Sequence, residues 1–276
     1  MSIKNLRSYR MPEIGKVTTA EFTMDYFKFG NGPRSLVIIP GLSIQSVMGA
    51  ANTVAAEYTK MQNDFTIYVF DRRQDIPQSY SIIDMGKDTA AAIKSLGLKD
   101  VAIFGASQGG MIAMVIAIYY PELVSKLVLG STSSHIKDEQ AAVLKKWIEL
   151  AKNKDAYGLY QNFAKEIYPP NVYDEYKDYF SDISKSVTTK DLERFVILAS
   201  AILGFDISKD LKKIKCPTLA IGVYEDAVLD SDATMEIAEN LDYRPDFKLF
   251  MYIGYGHAAF DTAPDYRDRL YSFLME

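Results

Sequence analysis

The sequence predicts an α/β fold: a doubly wound, mostly parallel sheet of eight strands, interrupted by an all-helical insertion. Three observations carry that expectation. Short apolar runs alternate with helical spacings through the first 130 residues and again after residue 214, as parallel crossovers require. Between residues 131 and 214 the alternation stops, and helical patterns rich in Lys, Asp, Glu and Tyr replace it. Gly105-Ala-Ser107-Gln-Gly109 joins an apolar strand to an apolar helix, with a serine at the corner.

Taken in order, residues 16–22 and 24–29 read as a hairpin-like pair of strands, ending in the turn cluster Gly30-Asn-Gly-Pro33. A third strand over 35–39 stops at Pro40-Gly41, and Val47, Val54 and Met61 give residues 45–61 helical spacing. A fourth strand over 66–70 leads through a polar loop at 71–78 into a helix over 82–96. The strand at 101–104 and the helix at 108–120 flank Ser107, and a sixth strand follows at 126–129. The insertion carries helical patterns at 140–151, 157–168, 173–181 and 192–203, broken at Pro169-Pro170. Strands at 217–223 and 247–253 enclose a short helix at 233–241, and residues 257–275 lead into a closing helix. The chain therefore divides into a core over 1–130, a helical cap over 131–214 and a second core part over 215–276.

Composition narrows the function. With 276 residues and 48% hydrophobic content the chain can bury one substantial core. Its 31 basic and 36 acidic residues are interspersed, so the net charge of −5 forms no basic stripe and nucleic acid is not an expected partner. No apolar run is long enough for a membrane span, residues 1–10 carry charges without an apolar signal core behind them, and a cytoplasmic protein is expected. One cysteine, Cys216, excludes an internal disulfide, and its place before Pro217 beside an apolar strand suits a buried structural thiol. Two histidines and no Asp-x-Asp-x-Asp loop disfavour a metal centre. Gly254-Tyr-Gly256-His-Ala-Ala259 fits a dinucleotide pattern, but no further strand follows to complete the unit, and no cofactor is expected.

The serine defines the chemistry. A hydroxyl is a weak nucleophile near neutral pH and needs a base to take its proton as it attacks. His257, in the glycine-flanked loop after the last strand, is better placed for this than His135 at the start of the insertion. Functional groups of parallel sheets gather at the carboxyl ends of strands, where the loop after residues 217–223 offers Glu225, Asp226 and Asp230 to orient the imidazole. Asp226 fits best, because Asp230 and Asp232 suit helix capping. An oxyanion would take the backbone amides of Gln108, directly after the serine, and of Leu42, in the loop Pro40-Gly-Leu42-Ser43.

The order Pro40-Gly-Leu42, Asp71-Arg-Arg73, Gly105-Ala-Ser107-Gln-Gly109-Gly110, Tyr224-Glu-Asp226 and Gly256-His257 resembles the α/β-hydrolase superfamily in its capped, single-domain bacterial form. The resemblance implies Ser107 as nucleophile, Asp226 as orienting acid and His257 as base, beneath a helical cap. The chain departs from the usual pattern with Pro40-Gly41 for His-Gly, with Gln74-Asp-Ile76 for Gly-x-Gly, and with no proline after Asp226.

The expected activity is that of a serine hydrolase cleaving a small carboxylic ester, thioester or amide through an acyl-enzyme. A cofactor-free perhydrolase, a carbon–carbon bond hydrolase and a ligand-binding protein on the same fold are the alternatives. The expected partner is a small-molecule ester or acyl substrate, with a homodimer as a further candidate. Tyr157, Tyr160, Tyr168, Tyr173 and Tyr176 are candidates to line the pocket or to pack the cap.

Overall fold

The computed structural model describes residues 11–276, so the charged segment 1–10 lies outside the described residues. Eight strands form one sheet: β1 (Glu13–Thr18), β2 (Thr23–Phe29), β3 (Arg34–Ile39), β4 (Phe65–Arg73), β5 (Val101–Ala106), β6 (Val124–Gly130), β7 (Thr218–Val223) and β8 (Phe247–Tyr252). Their spatial order is β1-β2-β4-β3-β5-β6-β7-β8. β2 runs antiparallel to both β1 and β4, and every later pairing is parallel. β5 and β7 are buried along their whole length, which explains why they read as continuous rather than alternating apolar runs.

The helices are α1 (Ala51–Glu57), α2 (Ile82–Ser95), α3 (Gln108–Tyr119), α4 (Asp138–Lys152), α5 (Ala156–Ile167), α6 (Pro170–Ser184), α7 (Thr189–Leu203), α8 (Asp230–Leu241), α9 (Ala259–Thr262) and α10 (Tyr266–Met275). Four of them, α4 to α7, lie between β6 and β7. α3 is buried from Gln108 through Ile118, and a helix apolar on every side belongs at the centre of a core. One apolar layer joins α2, α3 and α8 with residues of α4 and α7, and the other packs α1 and α10 on the opposite face. No helix among the described residues is long and apolar enough to cross a membrane.

Several boundaries differ from expectation, for local reasons. The first strand ends at Thr18 rather than running on to residue 22, because Thr19 Oγ1 accepts the amides of Glu21 and Phe22 and turns the chain. The helix expected over 45–61 begins as a 3₁₀ turn at Val47–Ala50, capped by Ser46 Oγ on the Met48 amide, and α1 covers only its middle. β4 runs three residues past Phe70, held by pairing of Met24 with Arg73. The closing helix is split at Pro264, which cannot donate to a helical ladder and keeps Ala263 extended, at φ −81° and ψ 121°.

Candidate functional site

Ser107 stands between β5 and α3 with φ 53° and ψ −123°. That left-handed conformation is unfavourable for a residue with a Cβ, and the surroundings hold it there. The Ser107 amide donates to Gly130 O at 2.8 Å, and its carbonyl accepts from the Gly110 amide at 2.9 Å and from Thr132 Oγ1 at 2.7 Å. The crossing is tight. A Cβ on Gly109 would stand 1.9 Å from Ile39 O, and one on Gly105 2.3 Å from Gly109 O. Glycine is therefore a steric requirement on both sides of the serine.

Asp226 and His257 follow β7 and β8 and are both buried, at 7% and 3% exposure. Asp226 Oδ1 accepts the amides of Val228 and Leu229 at 2.9 Å each, which fixes the carboxylate in the loop. His257 Nδ1 lies 2.9 Å from Asp226 Oδ1 and 2.8 Å from Oδ2. A proton on Nδ1 shared with this carboxylate leaves Nε2 as the acceptor nitrogen. The histidine loop is tied down in turn, for the Ala258 amide donates to Ile167 O, at the end of α5, at 2.9 Å.

The other acids of this loop are engaged elsewhere. Glu225 accepts the Gly254 amide at 2.8 Å, and Asp230 accepts the Ala233 amide at 3.2 Å and Gln140 Nε2 at 3.1 Å. His135 sits 3.4 Å from Glu236 and does not line the cavity described below. Burial pushes the Cys216 thiol up to about 11, so it stays protonated, and it too lies away from the cavity.

Ser107, His257 and Leu42 open on one cavity of about 830 Å³. No hydrogen bond joins Ser107 Oγ to the His257 ring among those of the described residues, and the two meet only as neighbours on the cavity wall. The loop after β3 approaches the serine closely enough that a Cβ on Gly41 would lie 3.2 Å from Ser107 Cβ. Gln108 occupies the first position of α3, where an amide has no intrahelical acceptor. The loop after β3 and the start of α3 thus approach the serine from different segments.

Sequence reasoning missed the group beneath them. Arg72, 5% exposed, donates from Nη2 to Pro40 O at 2.8 Å and to Gln108 Oε1 at 3.1 Å, touching both segments at once. Burial lowers its guanidinium to about 10, still cationic at neutral pH. Gln108 Nε2 donates onward to Leu198 O of α7 at 2.7 Å. The neighbouring Asp71 accepts from Arg194 of α7 and from Ser46 Oγ, adding a second polar link between α7 and the sheet. An arginine at the end of a buried strand was a visible signal, but its partners lie 32 and 36 residues away.

Of the five tyrosines considered, Tyr160 and Tyr168 line the cavity. Tyr157 and Tyr176 are exposed, and Tyr173 donates to Gln161 at 2.7 Å. No cluster of three or more His, Cys, Asp or Glu is arranged for a metal ion among the described residues.

Comparison with known proteins bears on this arrangement. The chain is 23% identical over 212 residues to a Pantoea ananatis protein named carbamate hydrolase RutD, covering 73% of this chain and 75% of that one. It is 21% identical over 218 residues to 3-oxoadipate enol-lactonase 2 of Acinetobacter baylyi, covering 77% and 79%. Among solved structures, MGS-M2, an α/β hydrolase enzyme from a Medee basin deep-sea metagenome library, superposes with a TM-score of 0.83 at 21% identity, covering 95% of this chain and 98% of that one. The family model for the α/β-hydrolase fold matches residues 61–264, which span the serine corner, Asp226 and His257. The chain belongs to the α/β-hydrolase fold family.

Proposed function

We propose that the protein is a serine hydrolase that cleaves a small-molecule carboxylic ester through an acyl-enzyme. The observation that carries this reading is His257, paired with the buried Asp226, opening on the same cavity as a serine in a strained left-handed conformation. In the first half-reaction Ser107 Oγ attacks the ester carbonyl carbon while His257 Nε2 takes the hydroxyl proton. The carbonyl oxygen becomes an oxyanion, received by the amides of Leu42 and Gln108. One such donor is worth about 2.7–4 kcal/mol in the transition state. As the intermediate collapses, the carbon–oxygen bond to the alcohol breaks and His257 returns the proton to the departing alkoxide. A water then repeats the attack with His257 as base and releases the acid. Asp226 keeps the imidazole in one tautomer and stabilises its cation.

The relatives' names, a carbamate hydrolase and an enol-lactonase, support a hydrolytic reading and make related acyl compounds worth testing beside simple esters. The test is labelling with a fluorophosphonate, alongside hydrolysis of p-nitrophenyl acetate to octanoate. The wild-type protein should label and turn over, and Ser107→Ala should do neither. A protein that labels equally well after Ser107→Ala, or does not label at all, would overturn the assignment.

A further inference from the structure

The cavity is several times larger than the reacting ester group needs, and its remaining wall is aromatic and aliphatic. Trp147 of α4 lies 4.6 Å from Phe163 of α5 between ring centres, and Tyr168 stacks on Phe180 at 5.6 Å. Most polar groups that reach this wall already have partners. Tyr160 donates to Gln45 Oε1 at 2.9 Å, Ser43 Oγ donates to Gln45 O at 2.7 Å, and Asp191 Oδ2 accepts the amide and hydroxyl of Thr188 at 2.9 and 2.6 Å.

Among the described residues no lysine or arginine lines the cavity, whereas a second carboxylate does. Asp261, in α9 and four residues beyond His257, accepts one long hydrogen bond from Tyr168 at 3.4 Å. It keeps accessible surface at the cavity wall. Asp261 is exposed on one side, so the protein packed round it withholds only part of its water, and that partial desolvation pushes its carboxyl up against the opposite pull of Arg267. Arg267 itself is paired with Glu57 at 3.1 Å.

We infer that the acyl pocket accepts uncharged acyl groups, a hydrocarbon chain or an aromatic ring, and that Asp261 makes it reject acyl groups ending in a carboxylate. This rests on the ester-hydrolase reading and names the substrate class for it. A carboxylate entering the cavity would give up its water, find no cation to replace it, and meet a second negative charge. Two unit charges about 6 Å apart, with Asp261 partly in water and an effective dielectric near 40, repel enough to cost roughly tenfold in binding, and desolvation adds to that. A neutral chain pays neither cost and gains from burying its methylenes against Trp147 and Phe163.

The experiment compares p-nitrophenyl hexanoate with the mono-p-nitrophenyl ester of adipic acid, which has the same six carbons and a terminal carboxylate. The wild type should favour the hexanoate in kcat/KM by about 100-fold, and Asp261→Asn should shrink that ratio about tenfold. Equal rates, a preference for adipate, or an unmoved ratio in a folded Asp261→Asn protein would overturn the inference. A preference for the 6-aminohexanoate ester over the hexanoate would overturn it too.

Calorimetry on Ser107→Ala with methyl hexanoate and monomethyl adipate reads the pocket without turnover. Tighter binding of methyl hexanoate is the expected result, and equal or tighter binding of the adipate overturns the inference. If no ester is hydrolysed and no fluorophosphonate label is taken up, the hydrolase reading fails while the calorimetry still decides the pocket's preference.

Discussion

The floor and the roof of the cavity are built by different means. The floor is the carboxyl edge of the sheet, where the Ser107 backbone is held by Gly130, Gly110 and Thr132, and Asp226 by two amides of its own loop. The roof is α4 to α7, which meet the floor chiefly through side chains, Gln108 on Leu198, Arg194 on Asp71, and Tyr160 on Gln45, with one backbone bond from the Ala258 amide to Ile167 O. Backbone geometry tolerates almost any exchange of exposed side chains, whereas a wall of side chains changes with every substitution. On the proposed reading the floor sets the reaction and the roof the substrate, and substitutions in the two regions should fail in different ways.

The largest effect belongs to the floor. Ser107→Ala should lower kcat by about 10⁴ to 10⁶, with the melting temperature kept or raised, since alanine removes the nucleophile without leaving a cavity. Steady-state kinetics beside a thermal melt would check this, and near-normal turnover in a folded variant would remove the serine from the mechanism.

Arg72 tests whether the floor needs its buried clamp. With the guanidinium gone, Pro40 O and the Gln108 side chain lose the donor that holds their segments together beside Ser107. Arg72→Met should reduce kcat by about 10- to 100-fold with little change in KM, and Arg72→Lys should recover part of it, because a lysine still supplies a charged donor. An equal loss in KM, or no recovery with lysine, would mean that Arg72 serves packing only.

The same division governs what could be read from the sequence. Parallel strands buried on both faces leave apolar runs, and a strand-to-helix corner that forbids Cβ atoms leaves glycines, so the sheet, α3 and the Ser107 corner were legible. Strand-end placement narrowed the acid to Glu225, Asp226 and Asp230, the capping signal set Asp230 lower, and Asp226 is the acid bonded to His257. Arg72 was not legible, because its role exists only where residues 40, 72 and 108 converge. Asp261 was hidden inside what reads as one closing helix. Helical spacing also could not tell Tyr160, on the cavity, from Tyr157, three residues earlier and exposed.

The roof should respond through selectivity. Trp147 is 2% exposed and packs on Phe163. Trp147→Ala should cost about 3–5 kcal/mol of stability and flatten the preference for longer acyl chains about tenfold while a short acetate ester is less affected. An acyl-length profile on p-nitrophenyl esters would show it, and a profile that keeps its shape would place Trp147 outside the acyl pocket.

The smallest effect lies where floor and roof meet, at Asp261. Its carboxyl is pushed up to about 6 in the folded protein, against about 3.9 in an unfolded chain, because the protein on one side of this partly exposed group disfavours the charged form. The folded state therefore holds the proton more tightly. The associated stability is fully present below about pH 4 and is lost as pH rises through about 6, so at neutral pH the native protein carries this charge at a cost. Asn keeps the acceptor for Tyr168 and removes the charge. Asp261→Asn should thus melt higher than the wild type at pH 8, by about 2 °C after allowing for the accessible side chain, and the difference should close as pH falls towards 4. If Asp261 discriminates as inferred, such a cost beside the cavity is stability traded for selectivity. A variant that melts lower than the wild type at every pH would instead make Asp261 a structural residue and remove the cost that the trade requires.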